Sequence, residues 1–149
     1  MTLLQRRILV PWIASTLVML GLSFLWHGLA LNDLRDLKIP MGLYGVLSSV
    51  VYLLIGLGLT YGMHQALHHQ WIGIRQGFPL KGLMFGAIFG FLVYLIAFIF
   101  GMSFIDRKVM HILVDVLWQM VEQGMGGLVV SLGIIYDLHQ GFLENERAQ

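Results

Sequence analysis

Polar positions are sparse and clustered along this 149-residue chain, and the apolar runs between the clusters are as long as a bilayer is thick. Segments 8–29, 41–63 and 82–105 contain no Lys, Arg, Asp or Glu. Hydrocarbon about 30 Å thick takes roughly 20 helical residues to cross, so each run predicts a spanning helix. A fourth run, 109–136, is interrupted by Asp115 and Glu122. Its uncharged part, 123–136, is too short to cross by itself, so a fourth crossing has to include Glu122 and is placed at 112–138. Lipid offers backbone N–H and C=O groups no partner, which leaves helices or a closed barrel. None of the runs alternates as a barrel strand does. The expected fold is an all-α membrane protein, a four-transmembrane-helix bundle in one domain over 1–149.

The expected connections are 32–40, 64–81 and a tight one at 106–108. Pro40 and Pro79 stand just before a span, where a missing N–H is harmless. Orientation follows the basic residues of short loops. Arg6, Arg7, Arg75, Lys81 and Arg147 fall on the side of the chain ends; Arg35, Lys38, Arg107 and Lys108 fall opposite. Arg6-Arg7 has no opposing acid nearby and assigns both termini to the cytoplasm, with the chain in the plasma (inner) membrane. The basic start followed by an apolar run also has the outline of a signal peptide. The run continues past Leu20 without a small-residue cleavage site, so it is read as a retained helix.

Composition agrees with lipid as the solvent. Hydrophobic residues make up 58% of the chain and charged ones 11%, against about a quarter charged in a soluble domain. A net charge of +1 without a Lys/Arg cluster argues against a nucleic-acid partner. The absence of cysteine removes disulfides, thiolate metal sites and a cysteine nucleophile. No nucleophile elbow, phosphate-cradling loop or HExxH pattern occurs, which leaves an enzyme open but as the less favoured reading. Trp12, Trp26 and Trp71 near span ends fit an aromatic belt.

Small residues predict helix contacts. Gly82, Gly86 and Gly90 recur every four positions on the third span, and Gly58 and Gly62 on the second. Such stripes let helix backbones approach, the main source of packing in lipid. The chain also repeats itself. Leu57-Gly58-Leu59-Thr60-Tyr61-Gly62-Met63-His64-Gln65 and Leu132-Gly133-Ile134-Ile135-Tyr136-Asp137-Leu138-His139-Gln140 share LGxxYxxHQ at an offset of 75. This is read as a tandem, parallel duplication of a two-helix unit, 6–80 and 81–149.

Chemistry has few carriers. Glu122 would lie well inside the fourth span, where a charge costs at least ~2.5 kcal/mol and acids face the bundle interior. His111, Asp115, Trp118 and Glu122 fall on one helical stripe with Gln119 beside it. That stripe reads as a proton or ion relay or a cavity lining, or as a carboxylic acid hydrogen-bonded to a neighbouring helix. His64 and His68 stand one turn apart and His139 ends the second repeat copy, a set able to hold a metal or haem iron. Interfacial anchoring is the favoured reading of these histidines, so haem or metal is not favoured as a cofactor.

Several pieces carry a family resemblance: Phe24-Leu25-Trp26-His27-Gly28 in the first span, Tyr52 in the second, Gly86-Ala87-Ile88-Phe89-Gly90 followed by Tyr94 in the third, and Val114-Asp115-Val116-Leu117-Trp118 in the fourth. With them the chain resembles a family of small four-span bacterial membrane proteins without an established activity. A Tyr-Asp pair with a nearby Asn in that family's third span has no counterpart in Tyr94-Leu95-Ile96-Ala97-Phe98. The resemblance implies topology and no chemistry. Three functional expectations follow. The first is an accessory, non-catalytic subunit of a larger membrane complex. The second is an oligomeric small transporter or channel using Glu122 and Asp115. The third is a haem- or metal-binding electron-transfer protein. The partners expected are the lipid bilayer and other membrane subunits or further copies of the chain.

Overall fold

The long apolar runs are helical, and Pro11, inside the first of them, does not interrupt it. The computed structural model describes residues 3–32, 34, 39–74, 77–101 and 109–147. These form α1 (Leu3–Leu25), a five-residue π-helical turn (Trp26–Ala30), α2 (Met41–His68), α3 (Phe78–Gly101) and α4 (Val109–Arg147). No strand occurs among the described residues. The connection at 106–108, the end of the third expected span at 102–105, and Arg35, Lys38, Arg75, Arg107 and Lys108 lie outside the described residues.

Paired contacts give the topology. Along α1 and α4, Arg6 meets Asp137, Gly133 receives Pro11, Gly126 receives Met19, and Trp26 stacks on Trp118. Numbers rise on one helix as they fall on the other, so the two are antiparallel over their length. The same holds for α3 against α4, where Gly82, Gly86 and Gly90 face Gly127, Gln123 and Gln119. It holds too for α1 against α2, through Trp12 with Leu53 and Phe24 with Tyr44. The result is an up-down-up-down bundle in which α4 runs between α1 and α3. Helices α2 and α3 meet more narrowly, where Phe89 and Phe85 cover Gly58 and Gly62.

Three helices, Arg6–Ala30, Met41–His68 and Phe78–Ile99, are long and apolar enough to cross a membrane. Helix α4 is longer than any of them at 39 residues but does not reach their apolarity. The surface is inverted relative to a soluble bundle. Leu17, Leu54, Ile88 and Leu117 are each about 60% exposed, whereas Ser15, Thr16, Thr60, Glu122, Gln123 and Ser131 are buried. The small core of Met19, Leu59, Met63, Phe78, Val130 and Ile134 lies toward the end where the chain begins.

The segment expected as a loop at 64–81 is helical at both ends. Met63 to Leu67 contains no breaker, and Ala66 is buried, so α2 continues to His68. It stops where Gln70 takes φ +60° and the amides of Trp71 and Ile72 fold back on the Ala66 carbonyl. Helix α3 starts four residues before Gly82.

Candidate functional site

A tyrosine, a serine and a second tyrosine recur every four residues at the start of α2, so Tyr44, Ser48 and Tyr52 share one face. That face, with Ser23 and His27 from the end of α1, Val93, Tyr94 and Ala97 of α3 and Gln119 of α4, encloses a cavity of about 350 Å³. It opens where α2 and α3 part from each other, at the end of the bundle away from Arg6. Ser48 donates its hydroxyl to the Tyr44 carbonyl at 2.7 Å, so it presents an oxygen acceptor inward rather than a proton.

Local backbone geometry places His27. The turn Trp26–Ala30 is widened to π-helical geometry, closed by the Leu31 amide donating to the Trp26 carbonyl at 2.8 Å. Single π-helical turns are rare and concentrate at functional sites. This one sets Trp26 in a parallel stack on Trp118 of α4, ring centroids 4.2 Å apart, and leaves His27 in the cavity wall.

Behind the wall lies Glu122, 1% exposed. Its carboxyl is surrounded by Tyr52, Trp118 and His27, and the Tyr52 hydroxyl stands between Ser23 and Glu122. Glu122 Oε1 and Trp118 Nε1 complete no hydrogen bond, and neither does either end of the buried Gln123 amide. A buried polar group left unpaired costs about 1–3 kcal/mol. Six residues of α4, 118–123, thus hold a carboxyl group, an indole N–H and an amide that each carry an unpaired buried atom. Glu122 lies level with Ser23, roughly 10 Å along the axis from Ala30 at 1.5 Å per residue.

The other residues singled out from sequence are dispersed. Gln119 is in the cavity wall, while Asp115 is half-buried on α4 and outside that wall. The His111 side chain lies outside the described residues. His64 and His68 line a separate groove at the opposite end, and His139 is exposed on α4. Among the described residues no group of three or more His, Asp or Glu side chains is placed to hold a metal ion. Sequence reasoning passed over Ser23, Tyr44 and Ser48, and it saw His27, Tyr52 and Tyr94 without assigning them to a site. The four-residue recurrence of Tyr44, Ser48 and Tyr52 was the available signal.

Of the tryptophans expected in an aromatic belt, Trp12 instead donates its indole N–H to the Leu53 carbonyl at 2.8 Å. Trp71 is exposed. Comparison with family models, with curated proteins and with solved structures gives no match for this chain, so the motif resemblance has no family match beside it.

Proposed function

We propose that the chain crosses the membrane four times and exchanges a small organic cation for a proton at Glu122. The crossing by α4 is supported by its antiparallel contacts with α1 and α3 along their length. A helix between two spanning helices occupies the same depth, and its polar groups are shielded by them rather than by water. Four crossings would leave both chain ends on one side of the membrane, and Arg6-Arg7 supports reading that side as the cytoplasm of a plasma membrane. The tandem duplication remains a proposal from LGxxYxxHQ.

One observation carries the functional reading: the Glu122 carboxyl is buried directly behind Tyr52, which lines the cavity together with Tyr44 and Tyr94. Aromatic faces attract a cation through the ring quadrupole, by about 2 kcal/mol or more once water is removed. A carboxyl group in hydrocarbon surroundings is tolerable with a proton or with a cation, and both cannot occupy it together. Competition between the two for one oxygen pair is the coupling an exchanger needs. An accessory subunit requires neither a buried acid with one oxygen left unpaired nor a tyrosine-lined cavity, which is why exchange is preferred to that role.

The Trp26–Trp118 stack beside Glu122 supplies a reporter. Tetramethylammonium added to the purified chain should change tryptophan fluorescence saturably and release protons into weakly buffered solution. Glu122→Gln should abolish both signals while helical content is kept. Saturable binding that Glu122→Gln leaves unaltered, or no binding at all, would refute the reading.

A further inference from the structure

A second groove, of about 390 Å³, lies at the opposite end of the molecule between α1 and α2. It is separate from the tyrosine-lined cavity and stands or falls independently of the exchange reading. Two adjacent arginines enter this end and meet different fates. Arg6 turns toward α4, its Nε 3.0 Å from Asp137 and its Nη1 2.7 Å from Glu144. Arg7 faces α2 and forms no ion pair among the described residues; its side chain lines the groove.

The opposite wall is a run of polar groups with free valences. Gln65 Nε2 donates to the Tyr61 oxygen at 2.6 Å, so the Tyr61 hydroxyl keeps its own proton to give away. His64 Nδ1 lies 2.9 Å from the Thr60 carbonyl oxygen, which only accepts, so Nδ1 carries hydrogen and Nε2 is directed elsewhere. That Nε2 is buried without a partner, as is the hydroxyl of Thr60, a residue with no exposed surface. Below this polar rim the walls are Ile8 and Leu57, and the exposed apolar faces of α1 and α2 continue from them. Arg7 stands at the edge of the first apolar span, which begins at Arg6.

A cationic guanidinium and a phenolic donor at an interface, above an apolar slot open to lipid, match one molecule. We infer that this groove seats an anionic phospholipid, its phosphate on Arg7 and Tyr61, its headgroup toward Gln65 and His68, and an acyl chain along Ile8 and Leu57. Guanidinium–phosphate pairs are charge-assisted and directional, which separates this from a diffuse basic surface. Soluble phosphate would satisfy the rim and leave the slot unfilled.

Native mass spectrometry of the full chain in detergent tests the assignment, with three probes: phosphatidylglycerol, phosphatidylcholine, and glycerol 3-phosphate, a headgroup without chains. One phosphatidylglycerol per chain should bind about tenfold more tightly than phosphatidylcholine. Arg7→Gln should lower that affinity about tenfold, the scale of one charge-assisted contact. Arg7 is exposed, so the variant keeps its fold, checked by circular dichroism. Arg147→Gln removes the same charge at the same end, outside the groove, and should change binding less than about twofold. Equal binding of phosphatidylcholine overturns the proposal. So does an equal loss in Arg147→Gln, which would mean diffuse charge, and so does glycerol 3-phosphate binding as tightly as the lipid.

Discussion

The two helical hairpins of this protein are held together by different means. In the α3–α4 hairpin the contact is backbone against backbone. A Cβ built on Gly82 would stand 2.6 Å from the Gly127 carbonyl oxygen, and one on Gly90 2.6 Å from that of Gln119. In the α1–α2 hairpin the contact is side chain against backbone. Trp12 donates to the Leu53 carbonyl, and Thr16 donates to that of Tyr52 at 3.4 Å. Without a hydrophobic force between helices in lipid, either route works: close van der Waals approach, or hydrogen bonds across the interface. Their consequences differ. The glycine-lined pair leaves no room for a ligand, whereas the pair built on large side chains leaves gaps between them. The largest share of the cavity wall accordingly comes from α2, while α3 adds Val93, Tyr94 and Ala97 and α4 adds Gln119, beyond the glycine contacts at Gly82 and Gly86. The two halves share LGxxYxxHQ but not a packing mode.

The sharpest way to break this comparison is Gly86→Ala. Its new methyl would meet the Gln123 carbonyl, a backbone atom that cannot move aside, and should lower bundle stability by about 2–3 kcal/mol, in the range of overpacking. Reversible unfolding in mixed micelles measures it. A neutral outcome would mean that the seam is not in backbone contact. Next comes Trp12→Phe, which keeps the ring but removes the donor to Leu53 and should cost about 1 kcal/mol. Gly58→Ala should cost less than ~1 kcal/mol, because its methyl meets only the Phe89 ring tip at 3.2 Å. A cost equal to that of Gly86→Ala would erase the distinction between the glycine stripes.

The smallest effect is expected where the hairpins meet in water. Hydrogen bonding from the Arg6 guanidinium holds the Glu144 carboxyl below its ordinary value. A carboxyl lowered on folding contributes stability that is full above its unfolded value of about 4.3, and is lost as pH falls through the folded one. Stability curves of the parent and of Glu144→Gln should therefore differ slightly at pH 7 and converge in acid. A gap that persists in acid would assign the difference to packing.

Much of this was legible in the chain and some was not, for identifiable reasons. Gly82, Gly86 and Gly90 read as a contact stripe because a four-residue period survives any arrangement of the bundle. Glu122 read as interior because the cost of a charge in hydrocarbon depends on depth, which helix length supplies. His64 and His68 were visible as a pair, and the Thr60 carbonyl one turn back takes the Nδ1 of His64, yet nothing local reveals that Arg7 of α1 faces them. The positions from His111 to Glu122 lie on one helix, α4, but they extend over 12 residues. The part from Trp118 to Glu122 meets the turn after α1 that carries His27 and the stretch of α2 that carries Tyr52.

What could be read without a structure was the helical character and length of the apolar runs, three of which, among the described residues, are long and apolar enough to cross a membrane. Long uncharged runs make helices in lipid because backbone hydrogen bonding and bilayer thickness are satisfied locally, without reference to neighbours. Tertiary structure alone decided which polar groups share a space. Ser23, His27, Tyr52 and Glu122 come from three helices, and their proximity depends on how far apart those helices stand. That spacing is set by pairs such as Gly126 against Met19 and Gly56 against Thr16, whose partners are remote in the chain.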